Sequence, residues 1–278
     1  MTSGRPGVAG VKCRMSFSPQ AGDGAVVLPR DRLIFALDVP GDDEARDLIV
    51  RLGDAVSFYK LGLGLLTNAH YFELVDRLGA DGRHIFADLK LFDIPATVAA
   101  AVAGLRGRGI RFLTVHGDPQ IMRAAVDAAG GEIGILAVTV LTSLDAKDLA
   151  AMGYARSDVQ SLVLAKARQA RDAGCAGVIA SGREAAAIRA DVGTPPTATG
   201  APFRIVTPGI RPSPEAAGTS AEAPLAGAAG DQKRVVTPAH AFRNGADFIV
   251  VGRPIRDADD PHAAALSIQR TIAGIFPS

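Results

Sequence analysis

The stretch His84-Ile85-Phe86-Ala87-Asp88-Leu89-Lys90-Leu91-Phe92-Asp93 begins as an apolar strand and ends in alternating fixed charges. Residues i and i+2 of a strand share a face, so Asp88 and Lys90 present a carboxylate and an ammonium to one space while Leu89 faces the opposite way, toward helices. Asp93 falls in the turn that follows. Charges gathered where a parallel strand ends mark the face on which α/β barrels carry out chemistry.

Outward from this stretch, a strand-then-helix cycle repeats. Apolar runs at residues 33–37, 56–59, 84–87 and 111–115 are each followed by helical spacing, at 42–52, 67–78, 96–107 and 119–129. The second half adds strand candidates at 134–140, 177–180, 203–206 and 248–251 and helical patterns at 159–173, 183–190 and 263–275. This count predicts an α/β protein, a single-domain (β/α)8 barrel of the TIM type over residues 31–278. A doubly wound sheet is the competing layout, and the lack of a Gly-x-Gly-x-x-Gly after the first strand argues against it. Two segments break the rhythm: 191–202 reads as a surface linker, and the Ala-, Gly- and Pro-rich stretch 211–233 as a lid on the active-site side.

At 278 residues and 48% hydrophobic, the chain can bury one large core. Its 30 basic and 29 acidic side chains leave a formal charge of +1, too little to draw in a nucleic acid, while a local pocket for one phosphate remains open. Cys13 and Cys175 suggest neither a disulfide framework nor a zinc site and read as reduced thiols. Residues 1–30 are rich in Gly, Ser and Pro without an apolar signal core and read as a disordered extension. No later run reaches the roughly 18 apolar residues of a bilayer span, so a soluble, cytoplasmic protein without membrane contact is expected.

Lys60, closing strand two, can approach Asp88 and Lys90 and completes, with Asp93, a Lys-Asp-Lys-Asp array. Alternating signs lower the cost of burial and keep Lys90 positive, suited to meet negative charge on a substrate carbon and to deliver a proton there. The same residues could instead cap the barrel as an ion-pair network or offer carboxylates to Mg2+.

Thr207-Pro208-Gly209-Ile210-Arg211 and Val251-Gly252-Arg253-Pro254 follow strands seven and eight, where barrels bind phosphate. Gly209 and Gly252 would let backbone N–H groups approach the oxygens, and Arg253 offers a bidentate clamp. Two ordinary turns with solvated Arg211 and Arg253 are the alternative. Asp38 fits either a ribose-hydroxyl acceptor or a turn residue before Pro40-Gly41. Thr142 and Ser143 could read a base edge, unless Ser143 caps a helix at 144–146. Gln232 could reach over a ligand from the lid or be an idle loop amide. His116 is either a supporting donor near the site or a satisfied core histidine.

The motifs LIFALDVP (33–40), FYKLGLGL (58–65), FADLKLFDIPATV (86–98), AVTVLTS (137–143), IVTPGIRP (205–212), GDQKRVVTP (230–238) and FIVVGRPI (248–255) occur in one order along the chain. In that combination the sequence closely resembles the bacterial orotidine 5'-phosphate decarboxylase family, from about Leu33 to Ile275. The resemblance implies that Lys60, Asp88, Lys90 and Asp93 are the family's charged tetrad, with Lys90 protonating C6 of the pyrimidine. It further implies a homodimer in which Asp93 and Thr97 reach the partner's ribose, Asp38 as a ribose ligand, Thr142 and Ser143 on the base, and Arg211, Gln232, Gly252 and Arg253 on the phosphate. The loop after strand seven would close over the ligand. The implied reaction takes orotidine 5'-phosphate to uridine 5'-phosphate and CO2, the last step of de novo pyrimidine nucleotide synthesis, with no cofactor and no metal. Competing readings are a Mg2+-dependent sugar-phosphate decarboxylase or hexulose-phosphate synthase sharing the Asp-x-Lys-x-x-Asp element, and a non-catalytic nucleotide-binding barrel. Lys60, Thr142 and Gln232 argue against the first, and the intact tetrad against the second.

Overall fold

Alternate residues of a parallel strand face opposite layers, and in the computed structural model that alternation is organised around a closed barrel. The structure describes residues 27–154, 158–212 and 234–277. The strands are β1 (Leu33–Ala36), β2 (Phe58–Gly62), β3 (His84–Leu91), β4 (Ile110–His116), β5 (Gly134–Val138), β6 (Gly177–Ile179), β7 (Arg204–Thr207) and β8 (Phe248–Val251). Each pairs in parallel with the next, and β8 returns to β1 through Ile34 opposite Val250. Closure excludes the doubly wound alternative.

Around the barrel run α1 (Asp42–Leu52), α2 (Leu63–Leu66), α3 (Tyr71–Ala80), α4 (Pro95–Leu105), α5 (Pro119–Ala129), α6 (Ala146–Ala151), α7 (Val159–Asp172), α8 (Ala185–Val192), α9 (Pro238–Arg243), α10 (Arg253–Arg256) and α11 (Pro261–Ile275). Several boundaries differ from the periodicity. β2 runs to Gly62, so Lys60 lies within the strand and not at its close. The helix expected over 67–78 starts at Tyr71, because Asn68 turns the chain back onto Leu65 after the short α2. The expected linker 191–202 begins inside α8 and then folds into a bridge between Pro196 and Pro202, whose turn is held by Thr197 donating to the Ala201 carbonyl at 2.9 Å. Helices as short as α9 and α10 carry too few residues to show a period.

Two apolar layers result. Inside the barrel, Phe58, Phe86, Phe112 and Phe248 pack with Ile34, Leu136, Val206 and Val250. The Phe112 and Phe248 rings meet edge-on at 5.4 Å, and Phe58 and Phe112 stack at 5.7 Å. Each such ring contributes roughly 1.5–3 kcal/mol by leaving water. A second cluster fills the space between the sheet and the helices and includes Leu89, as strand alternation required. Residues 1–26 of the expected extension, residues 213–233 of the expected lid, and Gln232 with them, lie outside the described residues. From Val27 onward the chain belongs to the barrel floor, for Val27 is buried against the inner cluster. The start of β7 is locked by Asp247, whose Oδ2 accepts from Arg189 at 2.6 Å and from the Ile205 N–H at 2.8 Å. Cys175 is a free, buried thiol, and burial pushes its pKa up to about 12. Among the described residues no helix is long and apolar enough to cross a membrane.

β6 and β7 approach so closely that a Cβ on Gly177 would stand 2.1 Å from the Arg204 carbonyl oxygen. Backbone cannot yield there without opening the barrel seam. Gly177→Ala is therefore expected to destabilise the fold by roughly 3 kcal/mol, visible as a lower midpoint in thermal unfolding. An unchanged midpoint would show that the seam has slack.

Candidate active site

On β2, β3 and β4 the inward positions climb from phenylalanine to polar side chains: Phe58 to Lys60, Phe86 to Asp88, Phe112 to Thr114. Period-two geometry thus sets a charged layer on an aromatic floor. Lys60 Nζ lies 2.9 Å from Asp38 Oδ1 and 3.4 Å from Asp88 Oδ2. Lys90 Nζ lies 2.8 Å from Asp88 Oδ1, which also accepts from the Thr114 hydroxyl at 2.9 Å. Burial alone would raise the Asp88 pKa, but Lys60 and Lys90, with hydrogen bonds from Lys90 and Thr114, hold it below the ordinary carboxyl value. Burial likewise opposes charge on Lys60, and Asp88 and Asp38 outweigh it, raising the ammonium above its usual pKa. Both groups are ionised at neutral pH. The Lys90 side chain is 32% exposed against 11% for Lys60 and 12% for Asp88, so Lys90 is the member of the pair that a ligand in the mouth meets.

The backbone beneath this pair is irregular. Ala87 pairs with Leu113 and Leu91 with Val115, so four steps along β3 match two along β4. Within that slip Lys90 has φ +48°, the one non-glycine residue with positive φ among the described residues. A left-handed conformation costs a non-glycine residue about 1–2 kcal/mol, and such strain clusters at functional positions.

The sequence-derived candidates divide by place. Asp38, Lys60, Asp88 and Lys90 form one connected array. Asp93 and Thr97 stand apart from it, exposed on the rim at the start of α4, where Asp93 Oδ1 accepts from the Ile94 N–H at 2.6 Å. Phe92 at 69% exposure and Ile94 at 66% flank Asp93 with bare apolar surface. Gly209 and Arg211 follow β7, and Ile210 between them pairs with Val236. Gly252 and Arg253 follow β8. The Asp257 carboxyl is held below its ordinary pKa first by a hydrogen bond from Arg256 and also by the charges of Arg253 and Arg211; β7 and β8 are neighbours in the barrel, so both candidate phosphate arginines follow adjacent strand ends. Thr142 is buried and Ser143 partly so, beyond the end of β5. The capping alternative for Ser143 is corrected: Asp145 caps α6, in a reciprocal box with Asp148. His116 is half-buried with its ring 5.0 Å from Phe92, and burial together with Lys166 and Lys90 lowers its pKa, leaving a neutral imidazole at pH 7.

Three residues escaped sequence reasoning. Thr114 was within reach, since extending the alternation of β4 beyond Phe112 points it inward beside Asp88. Arg256 donates to the Asp38 carbonyl at 2.6 Å, a contact across the β8–β1 seam that no local pattern announces. Arg234 lies in the quoted run 230–238, yet nothing local marks it as buried. Its guanidinium donates to Glu184 Oε1 at 2.9 Å and to the carbonyls of Val140 and Leu141 at 3.0 Å, steadying the backbone just before Thr142. Among the described residues no group of three or more His, Cys, Asp and Glu side chains converges to hold a metal ion.

Removing one partner of a buried pair leaves the other charge without compensation. Arg234→Met should cost about 3–5 kcal/mol in urea unfolding, and the double variant Arg234→Met with Glu184→Met should recover much of that loss. Equal losses in both would mean that the carbonyl contacts, and not the ion pair, carry the energy.

Residues 31–268 match the family model described as the orotidine 5'-phosphate decarboxylase / HUMPS family. Among curated proteins, an orotidine 5'-phosphate decarboxylase from Cereibacter sphaeroides is 54% identical over 241 residues, covering 86% of this chain and 96% of that protein. One from Methylococcus capsulatus is 50% identical over 249 residues, covering 88% and 93%. The crystal structure of orotidine 5'-phosphate decarboxylase from Lactobacillus acidophilus superposes with a TM-score of 0.70 at 32% identity, over 87% of this chain and 99% of that one.

Proposed function

The chain belongs to the orotidine 5'-phosphate decarboxylase / HUMPS family, and on that premise we propose how its charged array decarboxylates orotidine 5'-phosphate to uridine 5'-phosphate and CO2. The observation that carries the reading is the Lys60–Asp88–Lys90 arrangement, in which the exposed ammonium of Lys90 is braced from behind by a carboxylate that Lys60 holds ionised.

When the bond from C6 to the carboxylate breaks, CO2 departs and the electron pair stays on C6. Lys90 faces that carbon, stabilises the growing charge in a site walled by protein and gives it a proton from Nζ. Its position is set before substrate arrives, because Asp88 is gripped by two ammonium groups and a hydroxyl. Asp38 receives the ribose, Thr142 and Ser143 the base edge, and Arg211, Gly252 and Arg253 the phosphate, a role the family resemblance extends to Gln232, which lies outside the described residues. Binding energy collected at the phosphate, far from C6, serves to close the site and exclude water. Each oxygen of Asp88 already faces an ammonium, so this carboxylate has none left open to a cation.

The functional unit in this reading is a cytoplasmic homodimer. Asp93 and Thr97 are exposed, and the exposed Phe92 and Ile94 on either side of Asp93 supply an apolar contact surface. Asp93 of each chain would then complete the partner's site at the ribose. The barrel, to which residues from Val27 onward belong, is the catalytic domain.

Loss of pyrimidine absorbance on conversion of orotidine 5'-phosphate, with EDTA present, tests the activity. Wild type should turn over, and Lys90→Ala should lose roughly 10,000-fold or more. Failure of the folded wild type to release CO2 would overturn the reading. For the shared site, co-expressed Lys90→Ala and Asp93→Ala chains should regain roughly a quarter of wild-type activity, since half the dimers are mixed and each of these carries one intact site. No regain over the separate variants would place Asp93 outside the partner's site.

A further inference from the structure

Thr114 is fully buried on β4 and stands where β3 slips by two residues, between Leu113 and Val115, the positions that hold the regular pairing on either side. Its hydroxyl touches both members of the pair that faces the mouth. The Lys90 backbone N–H lies 3.0 Å from Thr114 Oγ1, and that oxygen lies 2.9 Å from Asp88 Oδ1. An amide can only donate and an ionised carboxylate can only accept, so the orientation of the hydroxyl is forced: it accepts from Lys90 and donates to Asp88.

We propose that Thr114 is a positioning residue for the decarboxylation, replacing the backbone ladder at the β3 slip and fixing the Lys90 backbone and the Asp88 carboxylate relative to each other. This proposal rests on the reading of Lys90 as the proton donor. Lys90 adopts φ +48°, a conformation that persists only when its surroundings over-determine it. The Thr114 hydroxyl is the polar group from the neighbouring strand that receives the displaced Lys90 N–H. It also takes part, after the two lysines, in holding Asp88 ionised. With the hydroxyl gone, the Lys90 backbone is free to leave this geometry, and the ammonium no longer starts from its place at the mouth. Thr114 does not touch the phosphate or ribose ends of the site, so its loss should act on the chemical step and leave binding largely alone.

The test compares Thr114→Val, Thr114→Ser and Thr114→Cys with wild type in the intact enzyme, measuring kcat and KM for orotidine 5'-phosphate, affinity for uridine 5'-phosphate and thermal midpoint. Displacements of order 1 Å at reacting groups cost up to about 100-fold, so Thr114→Val is expected to lower kcat by roughly 10- to 100-fold, with KM and product affinity within about threefold. Thr114→Ser should restore most of kcat. If Thr114→Val does not fold, Thr114→Cys decides the matter: its thiol is a weak donor and acceptor and should place kcat well below that of Thr114→Ser. A wild-type kcat in Thr114→Val, a Ser variant as slow as Val, a Cys variant as fast as Ser, or a fall in kcat matched by an equal loss of product affinity would each overturn the role. Wild type without turnover would instead defeat the decarboxylase reading itself, so the two failures are told apart.

Discussion

The Asp88 carboxylate is the constraint around which the mouth of this barrel is arranged. Taking one carboxylate out of water costs several kcal/mol even after relaxation, and here it is held by Lys60 on one oxygen and by Lys90 and Thr114 on the other. Lys60, itself buried, then needs a second counter-charge and finds it in Asp38. The chain of pairs runs from Asp38 to Lys90, and these two ends are its more exposed members. A charge placed in this way needs little reorganisation when negative charge develops beside it, which is the condition for electrostatic stabilisation of a transition state.

The rest of the barrel isolates that layer. Four phenylalanines fill the interior beneath it. Ion pairs at the opposite end, around Asp247, fasten the start of β7 and take no part in the mouth. Stability is thus concentrated at one end of the strands and chemistry at the other, as barrels generally divide these tasks. At the mouth, the regular pairing of β3 with β4 gives way around Lys90, whose left-handed backbone lies within that slip.

Asp93 stands outside the connected array of Asp38, Lys60, Asp88 and Lys90. Asp93 is close in sequence to Lys90 but is exposed between Phe92 and Ile94, so the same short segment carries one charge within the array and one outside it. The candidate phosphate arginines approach from the far side of the mouth, after β7 and β8. A ligand long enough to span from Lys90 to Arg253 would feel both ends, and binding energy gathered at one would act on chemistry at the other.

The sequence by itself determined the strand-and-helix rhythm, the inward direction of Asp88 and Lys90, and the placement of Gly252 and Arg253 after the last strand, because each depends on spacing within one segment. The period of two carried Leu89 to the helical layer without knowledge of any neighbour. Only the tertiary structure decided that Lys60 is shared between Asp38 and Asp88, that Thr114 bridges Asp88 to the Lys90 backbone, and that Arg234 is buried against Glu184. These depend on the stagger between adjacent strands and on contacts between residues as much as 50 positions apart. The φ of Lys90 belongs with them, since a left-handed residue inside a strand arises from a slip in pairing, and pairing is a relation between two segments that neither encodes alone.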